Sequence, residues 1–564
     1  MQDPIFRPIR QEDFDDAIEK SISKSICIDG YAPEMLKSLR RILRPILPSV
    51  LNHCMRERKL PNLFLKNHFI FIHKGDDNNN PENYRTIAIN NPFAKVFWKI
   101  IYNRFLVHVE RNSLLPSLQF GFRKAKSTMS AIFTLKKLIN DRFTSKKKTF
   151  ACFIDLKRAF DNVDRGILFK KLHSLGINKH FLQMLNHYYN NSETFVKAGK
   201  EWIGDSFKIR IGLPQGQELS PILFALFIAD YCPNTNGEDD VGILDCMGKL
   251  ILIRAIFFAD DLVLLASSRT KLCELTENFR VYCDANKLTI NFNKSKEMIF
   301  CKGKVSKIDA EEIKIGEQCI EKVTEFKYRG MWLTPHLQFT NHIKKMANKS
   351  RGKVGYIFEK LNISFLPMKI ALQVFNCYIL PIITYGLAVW WGEVATGALE
   401  MIDAIFSKFL KRWWGLPYAS NNAYLYHMTN QIPLTKRLDL TKQKYYEKLR
   451  QQLSHLDNVI LTDNFSSFMT PYYRIIEKIP TYFWSNQVIQ IPQSNKKYRE
   501  KQGKELFGWK HFELCRREVW HQPYLKEILE DGVLRWEYSS SGEDCCVCKI
   551  CNRRMEWNHT CFYD

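Results

Sequence analysis

Asp260 and Asp261 interrupt an apolar run, AIFFADDLVLLA over residues 255–266, that otherwise reads as a buried β-hairpin. Left unpaired there, each carboxylate would bear a desolvation penalty of several kcal/mol or take up a proton. A bound metal ion is the least costly way to keep both ionised. A tight turn with both side chains in water is the plainer reading of the pair alone. A second acidic segment, FACFIDLKRAFDNVD over residues 150–164, favours the metal. Phe150 to Ile154 form a short strand-like run, Asp155 stands at its end, and Phe160 and Asp161 follow. An aspartate closing one strand and a pair in the turn of a neighbouring hairpin can meet at one point. Carboxylates on rigid strands hold two Mg²⁺ ions about 3.5–4 Å apart, which lowers the pKa of an attacking hydroxyl and stabilises the leaving oxygens of a phosphoryl transfer.

The elements that must position these groups can be followed along the chain. Residues 12–60 carry apolar positions at helical spacing, with Gly30 between two segments. From Phe64 the pattern turns strand-like, in LFLKNHFIFIHKGDD and then NYRTIAI, so that Lys74 and Arg85 lie on opposite sides of an expected hairpin. A basic hairpin over a metal site would neutralise a triphosphate, Arg85 by bidentate contacts and Lys74 as a point charge; singly, each reads as a solvated surface charge. An amphipathic helix over residues 92–112 precedes LQFGFRKAKST, which gathers Phe120, Phe122, Arg123, Lys124, Lys126, Ser127 and Thr128. That mixture suits a nucleic-acid strand through stacking and phosphate contacts, or simply a loop capping the helix that follows.

In RIGLPQGQELSPILFALFIADY, Gly212 and Gly216 permit tight turns around Pro214 and Gln215, and Ser220 with Pro221 would cap and open the next helix. Such a loop ahead of a helix makes a reasonable wall for a nucleotide pocket. Further on come a helix ending in DANKL, the segment TINFNKSKEMIF, and a strand pair ending in FKYRGMWL. Residues 340–415 are largely helical and basic, with Lys344, Lys345, Lys349, Arg351 and Lys353 suited to a nucleic-acid duplex or to a solvated face.

Composition agrees with a polyanionic partner. Lys and Arg number 83 against 59 Asp and Glu in 564 residues, a net charge of +24, and aromatics make up 13%. The length implies two to four domains. The 16 cysteines are scattered except near the C-terminus, the N-terminus has no apolar signal segment, and no run of apolar residues is long enough to span a membrane. The expected setting is intracellular, with no membrane partner. The tail reads Cys548-x2-Cys551-x7-His559-x-Cys561, which in kind matches tetrahedral Zn²⁺ ligation, with free thiols as the alternative.

In this order PENYRTI, QFGFRKAKST, FIDLKRAFDNVD, GLPQGQELSP, FFADD, NFNKSK and FKYRG resemble the reverse transcriptase of non-LTR retrotransposons, the jockey-like and long-interspersed-element class, over roughly residues 12–415. The resemblance implies an α+β fold, a right-hand polymerase with fingers, palm and thumb and a helical C-terminal region. Residues 1–60 would be an N-terminal helical extension of the fingers, 61–335 fingers and palm, 336–415 a helical thumb, 416–540 the helical C-terminal region and 541–564 the Cys/His tail. It further implies that Asp155, Asp260 and Asp261 are the catalytic ligands of two Mg²⁺ ions, and that Phe160 screens the sugar 2′ carbon. Gln215 would lie beside the incoming nucleotide, Arg85 at its triphosphate, and Lys294 or Lys296 would be the assisting lysine. The partners implied are an RNA template, a DNA primer or target and deoxynucleoside triphosphates, and the setting nucleus and cytoplasm.

Three departures from the family pattern accompany the resemblance. His559 and Cys561 are closer together than in the module that follows the thumb in these elements. Gln217 and Glu218 follow the PQG where small or apolar residues are common, and a carboxylate there would weaken nucleotide binding. The chain begins just before the fingers, so the expectation is a product without its endonuclease. The principal rival is a catalytically inactive nucleic-acid-binding remnant. A group II intron maturase is a further alternative.

Overall fold

The computed structural model describes residues 4–438 and 441, apart from 20–26, 28–29, 76, 125, 199–200, 235–240, 245–249, 304–312, 317 and 392–393, together with 534–538 and 544–548. The chain divides into two compact units, Met1–Arg329 with Thr334–Leu337, and Gly330–Leu333 with Gln338–Asp564. In chain order the strands are β1 (Lys66–His73), β2 (Tyr84–Asn90), β3 (Thr149–Ile154), β4 (Glu193–Ala198), β5 (Glu201–Phe207), β6 (Gly242–Leu244), β7 (Leu250–Leu252), β8 (Ala255–Phe258), β9 (Asp261–Ala266), β10 (Lys296–Phe300), β11 (Ile313–Ile315), β12 (Gln318–Lys322), β13 (Phe326–Tyr328), β14 (Met331–Leu333), β15 (Leu534–Tyr538) and β16 (Asp544–Cys548).

The first unit is built on two sheets, a four-stranded one ordered β2-β1-β4-β5 and a six-stranded one ordered β11-β12-β10-β3-β9-β8. Every residue of β3 and all but the first of β9 are buried, which is why both read as unbroken apolar runs rather than alternating ones. Helix Arg269–Ala285 covers that sheet, in contact with β3 and β9. Helix Ser220–Phe227 buries every residue except Pro221, as a helix apolar on all sides must.

The helix starts follow from local chemistry. Ser127, Asp164, Asn178 and Ser268 each accept a first-turn backbone N–H at the start of Thr128–Thr144, Arg165–Ser174, Lys179–Asn191 and Arg269–Ala285, a contact worth about 1 kcal/mol each. Within the N-terminal stretch expected to be helical, the described helices are Gln11–Glu19, Pro33–Ser38, Arg40–Leu43 and Leu47–Glu57, and residues 20–26 and 28–29 lie outside the described residues. The first of them is tied to helix Pro92–Arg111 by buried Arg104, whose Nη2 pairs with Asp13 at 3.0 Å.

The second unit is helical from Thr340–Leu361 through Met368–Tyr378 and Thr396–Trp414 to Asn422–Met428. Phe358, Phe375, Phe406 and Phe409 pack ring against ring in its core. Of the region 416–540 expected to be helical, helix Asn422–Met428 is described and β15 is a strand paired with β16, while residues 442–533 lie outside the described residues.

Candidate active site

Asp155 is the residue after β3, and the β8–β9 hairpin closes with a two-residue turn, Ala259 and Asp260, between paired Phe258 and Asp261. β3 and β9 are antiparallel neighbours with Ile154 opposite Leu262, so the register, continued by one residue, carries Asp155 alongside Asp261. Directly opposed positions put Cβ atoms about 4.5–5.5 Å apart on one face. The three carboxylates are half-buried and feel one another. Burial pushes Asp261 up to about 6, Arg329 opposes the rise, and the charges of Asp260 and Asp155 add to it. Burial likewise raises Asp155 above its ordinary range; Lys294 and a hydrogen bond from Asn291 oppose it, and Asp260 adds to it.

Two segments hold this constellation. In the first, Phe120 N–H donates to Phe257 O at 2.8 Å, and Gln119 Oε1 accepts from Ala259 N–H at 3.2 Å and from Gly121 N–H at 2.9 Å. Ala259 has φ 57°, a left-handed conformation costing an alanine about 1–2 kcal/mol, which these bonds help to offset. In the second, Asn291 Nδ2 donates to Asp155 Oδ2 at 2.9 Å, Asn291 N–H donates to Asp155 O at 2.8 Å, and Asp155 N–H donates to Ser295 Oγ at 3.1 Å. Gln119, Gly121, Asn291 and Ser295 are thus positioning residues that a reading of charges and aromatics passes over, although all four stand inside QFGF and NFNKSK.

The structure also sorts the residues expected at the nucleotide. Lys294 is the cation nearest Asp155 in effect, whereas Lys296 Nζ is held by Glu321 Oε2 at 2.6 Å and Asn293 O at 2.7 Å. Phe160 stacks on Phe224 with ring centroids 4.7 Å apart and meets the edge of exposed Phe122 at 6.3 Å. Gln215 O accepts from Ala88 N–H at 2.6 Å, joining the GLPQG loop to the β1–β2 hairpin. That loop needs its glycines, for Gly212 and Gly216 have φ +84° and +98°, and a Cβ at Gly216 would lie 2.7 Å from Ala88 O. Lys74 Nζ donates to Glu82 O at 3.0 Å, and its charge acts on Asp161, whose carboxyl is raised by burial. Arg85 is exposed on β2, opposite Ile72.

Several expected contacts prove to be scaffolding. Arg123 is locked to Glu110 by bonds of 2.9 and 2.6 Å, Phe120 is buried, and Ser127 caps a helix, which leaves Phe122 and Lys124 as the exposed members of that cluster. Gln217 Nε2 donates to Tyr188 Oη at 2.8 Å and Glu218 pairs with Lys99 at 3.7 Å, so both side chains have structural partners. Ser220 does not cap its helix. Its hydroxyl donates to Pro214 O at 2.8 Å and tightens the loop instead.

Among the described residues no three His, Cys, Asp or Glu side chains form a ready metal cluster, and Asp261 Oδ2 is engaged by Arg329 Nε at 2.9 Å. The donor set nonetheless suits Mg²⁺. It offers hard carboxylate oxygens from two adjacent strands, half-buried and mutually repelling, with an arginine standing in for a cation. For the tail, Cys548 ends β16, while Cys551, His559 and Cys561 lie outside the described residues. Among the described residues no helix is long and apolar enough to cross a membrane.

Comparison with known proteins points the same way. Residues 72–333 match the family "Reverse transcriptase (RNA-dependent DNA polymerase)". The chain is 27% identical over 471 residues to the probable RNA-directed DNA polymerase from transposon BS of Drosophila melanogaster, covering 81% of this chain and 50% of that one. It is 25% identical over 379 residues to the RNA-directed DNA polymerase from mobile element jockey of Drosophila funebris, covering 65% and 39% respectively. The chain therefore spans half the length, or less, of these curated relatives. Telomerase from Candida albicans aligns over 65% of this chain and 66% of its own at 10% identity, with a TM-score of 0.35 too low to carry an argument.

Proposed function

We infer, from the match of residues 72–333 to the reverse transcriptase family and the similarity to jockey-like non-LTR elements, that this chain is an RNA-directed DNA polymerase. A polymerase of this family would take an RNA template, a DNA primer or target and deoxynucleoside triphosphates. The observation that carries this reading is the register that sets Asp155 beside Asp261, next to the turn holding Asp260. Asp155, Asp260 and Asp261 would hold two Mg²⁺ ions, which when bound activate the primer 3′ hydroxyl and neutralise charge on the reacting phosphate.

The remaining work falls to the chain's own side chains. Asn291 and Ser295 orient Asp155, and Gln119 fixes the turn, so the carboxylates meet the reacting groups without reorganising. Lys294, whose charge acts on Asp155, would deliver a proton or charge to the departing pyrophosphate. Lys74 and Arg85, on the hairpin tied to Gln215, supply positive charge for the triphosphate. Phe160, braced by Phe224, presents a ring against a ribose 2′ hydroxyl. The surplus of 83 basic over 59 acidic residues supports binding to nucleic acid.

The test is primer extension on poly(rA) with oligo(dT) and Mg²⁺, comparing the wild type with Asp260→Asn. The variant should bind the template nearly normally and lose extension. Residual activity above about 1% of wild type contradicts the ligand role, because losing such a ligand costs several kcal/mol. One observation, the Arg329–Asp261 ion pair, favours a second reading in which the chain binds nucleic acid without turnover. That reading predicts no incorporation by the wild type.

A further inference from the structure

Arg329 makes three ties to a single hairpin. Its Nε lies 2.9 Å from Asp261 Oδ2, its Nη2 donates to Phe258 O, and its guanidinium lies 4.1 Å from the centroid of the Phe258 ring. Its backbone is left-handed, φ 46°, a conformation unfavourable for a residue with a side chain and maintained where surrounding contacts over-determine it. Phe258 is the residue before the Ala259–Asp260 turn, so the arginine grips the catalytic hairpin by main chain, ring and carboxylate together.

We propose that Arg329 is a resident counter-ion of Asp261, holding that carboxylate and its hairpin in place when no metal is bound and competing with a divalent cation for the same oxygen. The inference rests on the metal reading of this site. A guanidinium keeps its charge throughout the physiological pH range, so proton loss cannot remove it from the site. Mg²⁺ contacts a carboxylate oxygen at about 2.0–2.1 Å, and a guanidinium on that oxygen opposes the approach of such a cation. Arg329 must therefore swing off Asp261 as the metal arrives. The ties to Phe258 O and the Phe258 ring would keep it on the hairpin while it does so. The arginine thereby sets the metal concentration at which the carboxylate site fills.

The test titrates the full chain with Mn²⁺, reading free Mn²⁺ by electron paramagnetic resonance, with no substrate present. Arg329→Gln should bind Mn²⁺ about ten-fold more tightly than wild type. Lys294→Gln removes another nearby charge, one whose effect falls on Asp155, and should tighten binding clearly less. Unchanged or weaker binding by folded Arg329→Gln overturns the proposal. Equal tightening by both variants also overturns it, because the arginine would then act only through the general field. If circular dichroism shows Arg329→Gln unfolded, Arg329→Lys takes its place. It keeps the charge but lacks the fork that reaches Asp261 and Phe258 O together, so a several-fold tightening is expected and none overturns the proposal. Absence of saturable Mn²⁺ binding in the wild type would instead overturn the metal reading itself.

Discussion

Adding one methyl group at Gly121 should disable the carboxylate site without touching a carboxylate. A Cβ built there falls 2.4 Å from Ala259 N and 3.1 Å from both Ala259 Cα and Phe258 C, whereas ordinary contact begins near 3.4 Å, so about 1.0 Å must open. All three atoms are main chain of the turn carrying Asp260, and none can rotate away. Gly121 is not among the residues of positive φ, so alanine is penalised there by collision alone. Either the Gln119 loop retreats and its amide loses Ala259 N–H, or the turn moves and takes Asp260 with it. Overpacking of this kind costs about 1–3 kcal/mol of stability, and a 1 Å misplacement of reacting groups costs about 100-fold in rate. Gly121→Ala should therefore lower kcat for primer extension about 100-fold, with KM for deoxynucleotide and affinity for template within about three-fold of wild type. Gly397→Ala, whose Cβ meets nothing within 4 Å, is the control and should extend normally. A Gly121→Ala enzyme that extends at the wild-type rate refutes the positioning argument. So would a loss of activity fully matched by loss of folded protein.

The two lysines of NFNKSK should separate cleanly. Lys294→Ala should slow single-turnover incorporation by about 10–100-fold, while Lys296→Ala, which breaks a pair with exposed Glu321, should stay within about three-fold and lose no more than about 1 kcal/mol of stability. The reverse order would remove Lys294 from the site. Asp261 should also leave a signature in stability against pH. Its folded pKa, about 6, lies above the ordinary 3.8, so the native state holds the proton more tightly. The stabilisation this supplies is complete below about pH 4 and is lost as pH rises through about 6. Without metal, the Tm of Asp261→Asn should therefore gain on that of the wild type between pH 4 and 6, and Mg²⁺ should narrow the gap. A Tm difference that stays flat across that window would show the carboxyl titrating normally.

Much of this site could be read from the sequence because its parts are local patterns. β3 and β9 are short apolar runs ended or begun by an aspartate, and the helix starts carry Ser, Asp or Asn. The lateral neighbour of β3 is another matter, since no periodicity along one strand fixes which strand pairs with it or in what register. The convergence of Asp155 with Asp261 rests on that pairing. Lys294 and Lys296 could not be told apart for a similar reason. They have the same charge at nearly the same place, and what separates them is Glu321, at the far side of β10 on β12.

The basic and aromatic residues of QFGFRKAKST show how composition misassigns work within a motif. Charge and rings suggested a strand of nucleic acid, yet Arg123 is consumed by Glu110 and Phe120 by the core. The uncharged Gln119 and Gly121 reach the Ala259–Asp260 turn instead. A reading that weighs only side-chain charge undervalues such residues, because a turn with an alanine at positive φ is held by hydrogen bonds and close packing rather than by ions. Arg329 is the converse case. Within FKYRG its charge looks like one more basic group on a strongly basic chain, and only the fold reveals that it is spent on Asp261. Catalytic carboxylates must be far enough from neutral to bind metal and near enough to neutral to fold without it. A site supported by Gln119 and Asn291 and neutralised by Arg329 satisfies both demands, whereas three carboxylates alone would satisfy only the first.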